Sequence, residues 1–218
     1  MYAIEQSRET RLDVLLEAIR SIGLATLASG TNGLHATLLP LTVLSKDDGK
    51  LVLTGHFARA NRHWRAVGSG IEALALFQGP HAYVSPGWYA TKAETGKSVP
   101  TWAYVAVEAR GTLRLVEDPE KLRAMLDALT ADHESGREAP WAVGDAPQDY
   151  IAAMMRGIVG LELDVSELSG VWKLNQAKSE ADRRGMIDGL GREETADATS
   201  LAALAQAGLP DAGTTGKT

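Results

Sequence analysis

The chain has 218 residues, 44% of them hydrophobic and 23% charged, which suits a globular protein with a substantial core. It contains no cysteine, and that excludes disulfides, thiolate metal sites and thiol nucleophiles. A net charge of −6 argues against a surface built mainly to hold nucleic acid, because phosphate neutralisation dominates that affinity; direct DNA binding has only weak support.

The amino-terminal residues mix charges through every turn and lack the apolar centre of a signal peptide. No apolar run approaches the roughly 20 residues needed to span a bilayer, so a cytoplasmic protein without a membrane segment is expected. Leu12, Leu15, Leu16 and Ile19 share one face of a first predicted helix. Extended segments are predicted around Leu24–Ala28, Leu34–Leu39, Leu51–Thr54, Ile71–Phe77 and Trp102–Val116. A second helix opens at Asp118-Pro119, a cap followed by proline at the first helical position, and presents Leu122, Met125, Leu126 and Leu129. A third follows Pro147, with Tyr150, Ile151, Met154 and Met155 inward. Val159, Leu161, Leu163 and Val165 then alternate with polar residues or glycine, the period of a half-buried strand.

Strands in runs interrupted by a few helices favour an antiparallel sheet or barrel over βαβ units. The expected class is therefore α+β, mainly β. Residues 1–191 read as one domain. Residues 192–218 read as an Ala/Gly-rich tail with a short helix at Ser200–Ala207 and a frayed end.

Two stretches have the composition of a binding site. The first, GHFARANRHWR from Gly55 to Arg65, gathers Arg59, Arg62 and Arg65 with His56 and His63, and no carboxylate occurs between Asp48 and Glu72. If Ala60–Val67 opens a helix after a strand, backbone N–H groups, helix dipole and guanidinium forks would all favour a phosphate. A solvated basic face is the alternative. The second, Phe77 to Tyr104, holds half of the aromatic residues of the chain, with Lys92 and Lys97 among turn formers at Gly79-Pro80, Pro86-Gly87 and Gly96. Such a mixture suits a flat anionic aromatic ligand, or equally a subunit interface. His133-Glu134 lacks an HExxH context for zinc, and His35 and His81 have no visible partner. GxSxG, Walker and GxGxxG motifs do not occur.

Taken together, these segments resemble the PaiB family of FMN-binding negative transcriptional regulators over roughly residues 1–190. The resemblance rests on ATLLPL at Ala36–Leu41, GHFARAN at Gly55–Asn61 followed by Trp64, FQGPHAYVSPGWY at Phe77–Tyr89 and VPTW at Val99–Trp102. It continues through LTADHE at Leu129–Glu134, APWAV at Ala139–Val143, APQDYI at Ala146–Ile151, WKLNQ at Trp172–Gln176 and DRRGMIDGL at Asp182–Leu190. Their number, order and spacing make it specific.

The resemblance implies an FMN-binding split β-barrel, antiparallel and of Greek-key type with flanking helices, and a homodimer with flavin at the subunit interface. Carried over by position, Thr37, Leu38, Leu39 and Pro40 would lie beside the isoalloxazine. His56, Arg59, Asn61 and Trp64 would form the phosphate and ribityl loop. Trp88, Lys92, Trp102 and Tyr104 would come from the aromatic stretch, and Lys173 and Gln176 would close the site. The chain departs from the family pattern at Leu38 (often His), Ala103 (often Asn), Asn175 (often Ser) and Ala177 (often Asn). Lost hydrogen-bond partners at 38 and 103 would each cost about 0.5–1.5 kcal/mol of flavin binding if they touched it. The implied function is a flavin-dependent regulator; a flavin-dependent oxidoreductase and a flavin-free dimeric interaction module are the alternatives.

Overall fold

The structure, a computed structural model, describes residues 1–30, 33–45 and 50–209; the expected frayed end, from 211 onward, lies outside them. Eight strands form one sheet: β1 (Arg8–Glu9), β2 (Leu24–Ser29), β3 (His35–Pro40), β4 (Thr42–Ser45), β5 (Leu51–Ala58), β6 (Ile71–Val84), β7 (Thr101–Val116) and β8 (Ile158–Lys173). Their order is β3-β2-β6-β7-β8-β5-β4, with β1 on β8. The β2–β3, β2–β6, β4–β5, β5–β8 and β1–β8 pairings are all antiparallel. Among the described residues, six α-helices accompany the sheet: α1 (Leu12–Ile22), α2 (Ala90–Thr95), α3 (Pro119–Glu134), α4 (Gln148–Met155), α5 (Glu180–Gly191) and α6 (Ala196–Ala207). Among the described residues no helix is long and apolar enough to cross a membrane.

The chain packs as two compact units. One comprises Thr10–Gln78 and Val107–Ser169; the other comprises Met1–Glu9, Gly79–Ala106 and the chain from Gly170. Residues 196–207, placed by sequence in the tail, form α6, which packs within the second unit.

In the first unit Leu27, Leu53, Phe57, Phe77, Leu113, Leu161 and Leu163 are fully buried, together with Leu15 and Ile19 of α1. Each such side chain contributes about 1.5–3 kcal/mol when removed from water. α1 stops where Gly23, at φ 66°, turns back and donates its N–H to Ile19 O at 2.8 Å, a conformation that favours glycine. α3 starts as the sequence predicts, with the Asp118 carboxylate accepting from the N–H groups of Glu120 and Lys121. Two expected inward faces are narrower than predicted. Leu12 is exposed, and the buried stripe of α1 begins a turn later at Leu15. α4 has only two turns and buries Ile151, leaving Tyr150 and Met154 exposed.

In the second unit the core gathers Val84, Tyr89, Ala103, Val105, Leu174, Met186, Leu190 and Leu201, with Ala198 and Ala205 of α6. The Gly79-Pro80 pair, predicted as a turn, instead lies inside β6. The β2 ladder on β6 ends at Phe77, so the missing N–H of Pro80 removes nothing from that pairing. α5 carries glycines in its interior, and the sequence therefore gives little helical signal there. It forms because Ser179 caps it, accepting from the Asp182 N–H, and because its glycines form the seat of Trp88. A Cβ on Gly189 would overlap the Trp88 indole, and one on Gly185 would overlap the Trp88 carbonyl. A second clip joins α2 to α5. The Thr91 N–H and hydroxyl donate to Asp182 Oδ1 and Oδ2 at 2.9 and 2.8 Å. Burial alone would raise the pKa of the Asp182 carboxyl, but these bonds, with Lys178 and Ser179, hold it below the ordinary carboxylate value.

Two outcomes follow from this packing. Gly189→Ala raises helix propensity by about 1 kcal/mol in an open helix, yet here it is expected to destabilise by about 1–3 kcal/mol through overlap with the indole. In a Trp88→Ala background the same change becomes neutral or stabilising, as read from thermal melts of the four proteins. Because its folded pKa is depressed, Asp182 contributes stability above its unfolded value, about pH 3.9, and loses it as pH falls through the folded value. Asp182→Asn is thus expected to cost about 1–3 kcal/mol at pH 7, with the deficit closing below about pH 4. Denaturant titrations across that range check it.

Candidate functional site

The arginine-bearing stretch leaves β5 at Ala58 and is fixed by its only buried polar side chain, His63. The sequence suggests a helix over Ala60–Val67; the structure has one 3-10 turn, Arg62–Ala66, capped by the Asn61 side chain, which accepts from the His63 N–H at 3.0 Å. So short a turn has little dipole to offer a phosphate; positive charge must come from side chains. His63 is 3% exposed. Its Nε2 is hydrogen-bonded with Ser29 Oγ and its Nδ1 with Thr37 Oγ1, both at 2.9 Å, while Asn61 Nδ2 donates to Thr37 Oγ1 at 3.0 Å. The ring stacks on His35 and tilts against Phe57. Burial first, and then His35, lower its pKa, so it is neutral at pH 7.

Around this anchor the cations point outward. Arg59 donates from Nε to Arg156 O at 2.9 Å and from Nη2 to Ile158 O at 3.0 Å, leaving other donors of its fork unspent. The Trp64 indole N–H donates to Arg59 O, and its ring is flanked by the guanidiniums of Arg59 and Arg65 at 5.8 and 5.5 Å. Among the described residues neither Arg59, Arg62 nor Arg65 has a carboxylate partner. His56, on β5, has its pKa lowered by burial. On β3, Thr37 is committed to the His63 network and Leu39 is buried, whereas Leu38 is 65% exposed and Pro40 partly so. Of that run, Leu38 offers the most surface.

The remaining predicted site residues lie in the second unit. Trp102 is half exposed, edge-on to the exposed Tyr83 and near His81. Tyr104 shares its face two residues on, under the Lys173 ammonium at 5.6 Å, and Lys173 donates to Thr101 Oγ1 at 3.0 Å. Lys92 is exposed on α2. Trp88 and Gln176 serve the fold. Trp88 sits on the α5 glycines, and Gln176 braces its own turn by donating to Trp172 O and accepting from Leu174 N and Ser7 Oγ.

Sequence reasoning missed the Ser29–His63–Thr37 chain, because burial of His63 and its reach to two strands are tertiary facts. His35 and His81 also find partners: His35 stacks on His63, and His81 pairs with Asp197 at 3.4 Å.

An arginine cluster without carboxylates, in a chain of net charge −6, fits the dianionic phosphate of a mononucleotide. A lysine beside exposed aromatic rings fits a flat anionic ring system.

Comparison with known proteins agrees with this chemistry. Residues 1–167 match the family described as "Putative FMN-binding domain". The chain is 31% identical over 205 residues to "Protease synthase and sporulation protein PAI 2" of Bacillus subtilis, covering 94% of this chain and 96% of that protein. An uncharacterized protein of Emericella nidulans is also 31% identical, covering 87% of this chain and 90% of its own. Among solved structures, an FAD and heme binding protein of Mycobacterium smegmatis superposes with a TM-score of 0.58 at 19% identity, covering 82% of this chain and 78% of that one. The flavocytochrome Anf3 of Azotobacter vinelandii gives 0.50 at 15%, covering 84% and 78%. These two likenesses bear on the fold, a mainly antiparallel sheet with flanking helices shared with flavin-binding split barrels. By its sequence match over most of its length, the chain belongs to the FMN-binding domain family, and FMN is its cofactor.

Proposed function

We propose that the protein is a cytoplasmic, homodimeric FMN-dependent negative regulator of gene expression, with the FMN phosphate on the arginine loop. The observation that carries the flavin site is the cluster of Arg59, Arg62 and Arg65, which among the described residues lacks carboxylate partners; Arg59 and Arg65 flank Trp64, and Arg62 lies on the turn that the buried His63 anchors. In this reading the loop binds and orients the phosphate through guanidinium forks, and exposed Leu38 gives the ring an apolar edge. When bound, FMN supplies reversible electron and hydride chemistry; the protein makes its redox state readable by a partner.

The dimer surface is assigned to the second unit, where Tyr83, Val99 and Trp102 are 48%, 75% and 52% exposed, a concentration of large apolar groups typical of an interface. The acidic net charge favours regulation through a protein partner over contact with operator DNA. The regulatory role is also supported by similarity to a Bacillus relative whose name refers to protease synthesis and sporulation.

Titration with FMN, followed by flavin absorbance, is expected to show saturable binding. Arg62→Gln with Arg65→Gln should weaken it by about ten- to a hundredfold, the scale of lost charge-assisted hydrogen bonds. Equal affinity in the double variant removes the phosphate from this loop. Light scattering is expected to give twice the chain mass, falling to the monomer in Trp102→Glu; a wild-type monomer sinks the dimer. Transcripts derepressed by deletion of the gene should stay derepressed when the double variant is supplied. No transcript change, together with anaerobic bleaching of the flavin by NADH or NADPH, would instead make the protein an oxidoreductase.

A further inference from the structure

The first unit contains a cavity of about 380 Å³ walled by Val116, Leu122, Met155 and Ile158, a size that takes a small organic ligand (roughly 300–1,000 Å³). Val116 and Leu122 are buried, so this part of the wall is preformed. Arg156 and Arg59 also line it. Arg59 is fixed there by its bonds to Arg156 O and Ile158 O, and Arg156 Nη1 donates to Ala152 O at 3.1 Å. Among the described residues neither arginine has a carboxylate partner. Glu117 is the single acidic residue in the lining.

We propose that this cavity binds a small amphipathic monocarboxylate, with its hydrocarbon tail along Leu122 and Met155 and its carboxylate on Arg156 and Arg59. The apolar wall has few groups to pair with a sugar or a nucleoside, whose hydroxyls would lose hydrogen bonds to water. Two arginines against one glutamate accommodate one negative charge, and Glu117 repels a second. The site overlaps the flavin reading only at Arg59; Arg156 and the apolar wall belong to the cavity alone. A ligand here would contact the arginine that also faces Trp64, so its binding and that of FMN are expected to be coupled reciprocally.

The test is titration of the purified full-length protein with decanoate, by calorimetry and by NMR of the carboxyl-labelled acid, with decanol as the uncharged control. Saturable one-to-one binding of decanoate is expected, about tenfold or more tighter than that of decanol, as a charge-assisted contact requires. Ala152→Trp, at an exposed position on α4 that lines the cavity, should fill the space and weaken binding at least about tenfold. Arg156→Gln should weaken decanoate by about tenfold while leaving decanol unchanged. FMN titration of Ala152→Trp should still show saturable binding, which separates failure of this site from failure of the flavin reading. Absence of saturable binding, equal affinity for decanol, or unchanged affinity in both variants overturns the proposal.

Discussion

The arrangement of the arginine loop depends on the burial of one neutral imidazole. An imidazole out of water needs both ring nitrogens paired, since an orphaned polar atom costs about 1–3 kcal/mol. Ser29 on β2 and Thr37 on β3 meet that need from adjacent strands. The consequence reaches beyond His63. Asn61 caps the turn and bonds Thr37, so the loop is tied to the sheet on both sides of Arg62. In a 3-10 turn residues three apart share a face; with His63 turned inward, Arg62 and Arg65 are both left on the solvent side. The geometry of the cations follows from satisfying a histidine.

That geometry is unfavourable by itself. Two guanidiniums flank one indole with a third, Arg62, on the same short turn; like charges so gathered repel one another, and no carboxylate partner among the described residues offsets them. Carbonyls of Arg156 and Ile158 absorb part of the Arg59 charge, and the Trp64 ring absorbs a little more. The remainder is solvated by water or met by a dianion. Binding a phosphate therefore relieves a repulsion the folded chain already holds, an electrostatic preorganisation that a flexible basic tail would lack. The acidic remainder of the chain sharpens the contrast by discouraging polyanions elsewhere.

Much of the fold was legible from sequence because it is written in local periodicity. The Asp118-Pro119 cap, the α1 stripe and the alternation through Val165 all report short-range geometry, and each element occurs where its pattern lies. What was not legible depends on contacts distant in the chain. α5 looks like a poor helix until Trp88 occupies its glycines. Pro80 looks like a turn until the β2 ladder is seen to end at Phe77. For the site, residue type and charge pattern pointed to the arginine loop, but composition could not separate outward residues such as Arg62 from the inward His63. Nor could it show that Gln176 and Trp88 are engaged in packing and turns.

The departures from the family pattern have unequal weight once placed in the structure. Ala103 is fully buried, in the core of the second unit, while its neighbours Trp102 and Tyr104 take the other face of β7. A larger polar residue there would point into that core rather than toward a ligand on the exposed face. Asn175 adopts φ 58°, a conformation asparagine tolerates better than most residues, and donates to Tyr89 Oη at 2.7 Å; it is occupied with the fold. Leu38 and Ala177 are the exposed departures, each replacing a group that could hydrogen-bond, and Leu38 changes the larger surface, to one that can only pack. In the proposed site, the loss at Leu38 would be about one hydrogen bond's worth, some 0.5–1.5 kcal/mol, offset in part by apolar packing of Leu38 on the ring. Against that stands an intact arginine loop with three cations. On the proposed site the balance favours retention of the flavin, with an altered edge at Leu38.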